Sequence, residues 1–112
     1  MTKKQRIVEA MAKRLISEFG LADRFEFVWT NSRENCGLCR DPWAGNIGQI
    51  ELSKVYVQRA SLELIEDTIR HEIAHALVGC TEGHNANWVQ ACLVVGAVPL
   101  EYNDSVVLTQ VA

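Results

Sequence analysis

Thr68 to Asn87, TIRHEIAHALVGCTEGHNAN, is the stretch that the rest of the chain is arranged to serve. It contains His71-Glu72-Ile73-Ala74-His75 and, beyond a glycine-containing connection, His84. An α-helix advances about 100° per residue, so His71 and His75 share one face, one turn apart. That spacing lets two imidazoles converge on one small cation, at roughly 2.0–2.1 Å each for zinc. Glu72 lies about a quarter-turn away, better placed to reach a water beside the metal than the metal itself. This is the H-E-x-x-H arrangement, in which one rigid element carries two ligands and a general base. The competing reading is a pair of ordinary solvent-facing or core histidines. The chain has only 3 His, all inside this stretch, and that concentration favours the metal.

The surrounding residues specify a helix. Ser61 is a suitable N-cap, Glu63 and Glu66 suit the positive first turn, and Gly79 suits the position just past the end. Leu62, Ile65, Ile69, Ile73, Ala76 and Leu77 recur at three-to-four spacing, an apolar face expected to dock on the core. His71 and His75 are then expected to look into a cleft. His84 is expected to return to the metal from the next segment, at or just before the N-terminus of a further helix, where the dipole keeps an imidazole neutral. That helix, carrying Trp88, Val89, Cys92, Leu93 and Val95, is apolar on nearly every side and is expected to be buried.

With 112 residues, 48% hydrophobic and 22% charged, the chain reads as one domain, 1–112, with room for a real core. It has 2 Pro and 7 Gly, and no linker, repeat or low-complexity tract stands out. Apolar positions in MTKKQRIVEAMAKRL are spaced, unlike those of a secretory leader, and the longest apolar run, Ala91 to Leu100, is too short to span a bilayer. The expectation is a cytoplasmic protein with no membrane partner.

Residues 3–19 read as a first helix, with Ile7, Val8, Met11, Leu15, Ile16 and Phe19 as its buried stripe and Gly20 at its end. Arg24 to Thr30, Cys36 to Arg40 and Ile47 to Leu52 read as short antiparallel strands. Asp41-Pro42-Trp43-Ala44-Gly45-Asn46 is a turn. The fold class is α+β: N-terminal helix, small antiparallel sheet, H-E-x-x-H helix and a buried third helix. Ser105 to Val111 reads equally as a final strand or a tail. Four Cys without a secretory leader argue for thiols or metal ligands and against a disulfide framework. Cys36-Gly37-Leu38-Cys39 lacks the helix N-terminus that a redox pair needs, and Cys80 and Cys92 form no second C-x-x-C. Buried thiols are expected for all four.

Together these residues resemble the SprT-like metalloprotease domain found in SprT and Spartan proteins. The likeness runs from about residue 15 to residue 100. It rests on Gly37-Leu38-Cys39, Ile50-Glu51-Leu52-Ser53, Asp67 through Leu77, and Gly83-His84 with Trp88 four residues on. A metzincin would carry its third histidine where Thr81 stands, which excludes that subgroup. The resemblance implies a zincin-like fold, one catalytic Zn2+ held by His71, His75 and His84, Glu72 as catalytic base, and proteolysis of proteins associated with DNA. Relatives often add a C-terminal zinc ribbon, which is not expected here. A net charge of −3 gives no broad electrostatic footprint for DNA; Trp29, Trp43 and the basic first helix are the candidates for such a surface.

Three histidine ligands leave a tetrahedral zinc one open position, the mark of a catalytic site. Tyr56, Tyr102 and Arg70 are candidates to stabilise the oxyanion, and Asp67 is a candidate partner for a ligand imidazole. The function expected is a zinc endopeptidase acting on protein substrates. The alternatives are a zinc-holding module for protein or DNA interaction with little turnover, and a zinc hydrolase of a non-peptide substrate.

Overall fold

The computed structural model describes residues 1–81 and 83–99; Tyr102 and the Ser105 to Val111 stretch lie outside them. Helix α1, Lys3–Glu18, opens on a reciprocal cap: the Thr2 hydroxyl accepts the Gln5 N–H and the Gln5 side chain accepts the Thr2 N–H. Val8, Ala12, Leu15 and Ile16 form its buried stripe, while Ile7 faces outward. Gly20, with φ of 74°, takes the left-handed conformation that turns the chain out of the helix.

Strands β1 (Phe25–Thr30), β2 (Gly37–Arg40) and β3 (Gly48–Ser53) follow. The expected antiparallel sheet is instead mixed. Its order is β1-β3-β2, with β2 antiparallel and β1 parallel to β3. The chain reverses twice, so β1 and β3 must point the same way. Because β3 inserts between the other two, that like-directed pair is hydrogen-bonded. Reversal is a local property of turns, whereas adjacency is not.

The register places Phe27 beside Ile50, Trp29 beside Leu52, and Cys39 and Gly37 beside Ile50 and Leu52 from the other edge. This face carries the helices. Side chains alternate across a strand, so Arg40 and Glu51 point to the other face, where they form an ion pair at 2.7 Å.

Helix α2, Lys54–Arg59, was not expected from the sequence. Ser53 ends β3 and caps α2 in one residue: its hydroxyl accepts from Val55 and Tyr56 N–H and donates to the Ser32 carbonyl. Helix α3, Leu62–Val78, begins at the Ser61 cap and ends at Gly79, as the residue signals require. Helix α4, Ala86–Val95, is capped by Asn85 and closed by a left-handed Gly96. Its burial differs from expectation. Trp88, Ala91, Cys92 and Val95 make one buried stripe, but Leu93 and Val94 are 62% and 71% exposed. An apolar helix packed from one side leaves its outer residues in water, and single exposed apolar side chains are ordinary.

The core joins the α1 stripe, Ile50 and Leu52 of β3, and Ile65, Ile69 and Ile73 of α3. Among the described residues no helix is long and apolar enough to cross a membrane. The cysteines correct a second expectation. Cys36 and Cys92 are buried thiols, but Cys39 and Cys80 are joined by a disulfide, with Cα atoms 5.5 Å apart. A 41-residue separation hides such a pair from any reading of local spacing.

Candidate metal centre

Helix α3 holds His71 and His75 one turn apart, as the helical period requires. Gly79, with φ of 108°, then redirects the chain. The next residue is fixed twice: the Cys80 N–H donates to the Asp41 carboxylate at 3.0 and 3.1 Å, and its sulfur is bonded to Cys39 of β2. His84 stands immediately before the Asn85 cap of α4. The three Nε2 atoms meet: His75 to His71 is 3.2 Å, His75 to His84 is 3.2 Å, and His84 to His71 is 3.4 Å. Among the described residues this is the one cluster of three or more His, Cys, Asp or Glu side chains that could hold a metal ion.

Most of this cluster is shielded from solvent. His71, Glu72 and His75 are 0, 1 and 6% exposed, and only His84 is half-buried. Two elements cover them. Trp88 of α4, itself fully buried, lies against all three imidazoles, with ring centroids 4.9, 5.5 and 4.4 Å from those of His71, His75 and His84. On the other flank β2 runs past Glu72, whose Oε2 is 4.0 Å from His71 Nε2. The middle of the apolar face (Ile65, Ile69, Ile73 and Ala76) and the histidine face of α3 are therefore both inside the protein, whereas Leu62 and Leu77 at the ends of that face are exposed.

The supporting residues named from the sequence are engaged elsewhere. The Tyr56 hydroxyl is bonded to Thr68 Oγ1 at 2.6 Å and lies 3.3 Å from the Leu64 carbonyl oxygen. Burial pushes this phenol well above its ordinary range, the Thr68 hydrogen bond opposing and the Cys36 and Asp67 charges adding to the rise. Arg70 pairs with Glu66 at 3.0 Å and donates to the Val95 carbonyl at 2.6 Å. Its charge thus sits at the negative end of α4. Asp67 accepts the Val98 N–H at 2.8 Å, tying down the segment after α4. Tyr102 lies outside the described residues. Of the aromatic residues named for a nucleic-acid surface, Trp29 is half-buried, its Nε1 donating to Glu9 at 2.8 Å, and Trp43 is exposed in the turn between β2 and β3.

The sequence reading missed three contributors. Trp88 was noted for its position, but not as the wall behind the imidazoles. Asp41 reads from the sequence as a turn residue, and Gly37 as part of the Gly37-Leu38-Cys39 match in the second strand, with no contact to the motif helix implied. The nearest neighbours of Gly37 across the layer are Glu72 and Thr68. A glycine inside a strand pattern is the signal that could have been followed, since it often marks a close approach.

Comparison with curated proteins and with solved structures yields no match. The SprT-like family model matches residues 5–107, which takes in all the helices and strands from α1 to α4 apart from the first residues of α1. This likeness over nearly the whole length, with the three gathered imidazoles inside it, places the chain in the SprT-like family.

Proposed function

We propose that this chain is a zinc-dependent endopeptidase of zincin-like fold, with one Zn2+ held by His71, His75 and His84 and with Glu72 as the catalytic base. The triangle of Nε2 atoms carries the reading. Its edges of 3.2, 3.2 and 3.4 Å compare with about 3.3–3.4 Å between ligands of a tetrahedral zinc with bonds of roughly 2.0–2.1 Å. Protons alone do not satisfy such a triangle. Each Nε2 presents either an N–H or a lone pair. With three rings and two kinds of partner, at least one pair of like groups always faces each other. A cation accepts all three lone pairs at once.

When bound, zinc supplies Lewis acidity, lowering the pKa of water toward about 7 and polarising a carbonyl oxygen. The chain's own part is proton movement and orientation. Glu72 takes the proton of the water that adds to the peptide carbonyl, then delivers it to the leaving amine nitrogen. Its distance of 4.0 Å from His71 Nε2 exceeds every edge of the triangle, which suits a base beside the metal and not a fourth ligand. Trp88 keeps water off one side of the rings and holds their orientation. A base has no purpose in a purely structural metal site, which weighs against an interaction module without turnover.

The substrates in this proposal are proteins, including those associated with DNA. Direct DNA contact is a separate matter, and a salt-dependent binding titration tests it, since loss of binding even at low salt would remove DNA as a partner. A cytoplasmic setting belongs to the same proposal. The main test compares wild type with Glu72→Gln for zinc content and cleavage of an unfolded protein substrate. One zinc per chain is expected in both, with cleavage by wild type alone. Equal cleavage by the variant overturns the assignment.

A further inference from the structure

We propose that Gly37 is a positioning residue for Glu72: the missing side chain on β2 is the space into which the carboxylate is packed. The inference rests on Glu72 being the base, as proposed above. A Cβ built at Gly37 would lie 3.2 Å from Glu72 Oε2, 3.3 Å from Glu72 Cγ and 3.2 Å from Thr68 Cγ2. Those separations are tighter than a methyl group normally accepts, so a neighbour would have to give way. The backbone does not call for glycine, because Gly37 is absent from the positive-φ positions. The requirement is for space.

What gives way follows from how each wall is held. Gly37 is paired with Leu52 of the central strand, and the Ser53 N–H donates to the Cys36 carbonyl at 2.9 Å. Two residues on, the disulfide from Cys39 fixes the same strand to the end of α3. On the facing helix, Thr68 cannot rotate its methyl aside without cost. Its Oγ1 donates to the Leu64 carbonyl at 3.0 Å and is bonded to Tyr56 at 2.6 Å. The backbone of α3 is itself packed into the core through Ile69 and Ile73. Strand and threonine are both pinned, so the strain falls on Glu72, whose longer side chain can spread a shift over three torsions. The other close-contact glycine of the sheet, Gly48, meets the Arg40 carbonyl and the Phe25 ring, a matter of strand packing remote from the histidines.

A displaced base loses alignment with the water it deprotonates, and misplacements on the order of 1 Å can lower rates about 100-fold. Gly37→Ala is therefore expected to lower kcat about tenfold, a smaller loss for a smaller shift. KM, zinc content and the melting temperature should stay near wild type. Thr68→Ser keeps the hydroxyl and removes the opposing methyl but leaves the residue 37 methyl against Glu72, so adding it to Gly37→Ala should not restore kcat. Rescue by that change would show that the loss runs through Thr68 and would overturn the inference. Crystal structures of the metal-free wild type and Gly37→Ala give a readout independent of turnover. The Glu72 carboxylate should have moved while Thr68 and the residue 37 Cα superpose. The inference is overturned if the carboxylate stays in place, if kcat is unchanged, or if kcat falls only in step with zinc content or melting temperature. Wild type that cleaves no better than Glu72→Gln would instead sink the peptidase reading, and the crystallographic comparison would still decide whether Gly37 positions Glu72.

Discussion

Removing the bond between Cys39 and Cys80 should reveal how far the centre depends on a single covalent tie. The cross-link closes a loop across 41 positions, taking in the β2–β3 turn, β3, α2 and α3. Restricting the unfolded chain by a loop of that length is worth about 4 kcal/mol in the chain-entropy description. For a domain near 100 residues, about 4 °C of melting temperature accompanies each kcal/mol, so Cys39→Ser with Cys80→Ser should melt roughly 15 °C lower than the oxidised wild type. Part of the local order should survive, because the Asp41 carboxylate still accepts the Cys80 N–H. The assay is a calorimetric melt of oxidised, reduced and doubly substituted protein. It is paired with thiol tagging under denaturing conditions, where only Cys36 and Cys92 should label before reduction. Because the tie joins β2 to the segment leading to His84, zinc should also exchange faster from the reduced form. Tagging of all four cysteines without reductant, or a double variant melting within about 2 °C of oxidised wild type, would refute the reasoning.

Other consequences are more local. Trp88→Ala empties a fully buried site against three imidazoles and should destabilise the fold by about 3–5 kcal/mol in urea titrations, with weaker zinc retention than Trp88→Phe. Tyr56→Phe should lower stability by about 1 kcal/mol yet leave kcat unchanged, since its hydroxyl is engaged with Thr68 and Leu64; a large fall in kcat would return it to the oxyanion role. Burial pushes the Cys92 thiol up to about 11, the Asp67 carboxylate adding to the rise. The unfolded thiol ionises first, so folded stability should decline with pH from the ordinary thiol range to about 11. This slope should be reduced in Cys92→Ala when denaturant midpoints are compared across that window.

The parts of this protein that could be read from residues alone are those governed by local geometry. His71, Glu72 and His75 follow from the helical period, and Ser61 and Gly79 from the chemistry of helix ends. The position of His84 before α4 needed only a glycine and a cap. What escaped was set by distant parts of the chain. The strand reversals were visible, but the insertion of β3 between β1 and β2 depends on which edge the chain reaches after Thr30. Helix α2 is 6 residues long and rich in β-branched valine, so neither length nor propensity announced it. Leu93 and Val94 misled because hydrophobicity says that a residue can be buried, not that a neighbour exists to bury it.

The same distinction explains why the supporting residues of the centre were the hardest to see. Each reaches α3 from a different element: Gly37 from β2, Tyr56 from α2 through Thr68, and Trp88 from α4. None belongs to the H-E-x-x-H motif, and the one with a catalytic-looking group, Tyr56, has its hydroxyl bonded to Thr68. Their effect is to enclose a helix on both its apolar and its histidine faces, so that Ile69 and Ile73 on one side and Trp88 on the other set the position of the same backbone. Packing density then becomes a property of the site. In a close-packed interior, a volume change of one methyl group is transmitted to its neighbours. A methyl added at Gly37 meets the carboxylate directly, whereas one removed from Ile73 acts only through the helix. The first should therefore alter chemistry before stability, and the second stability before chemistry.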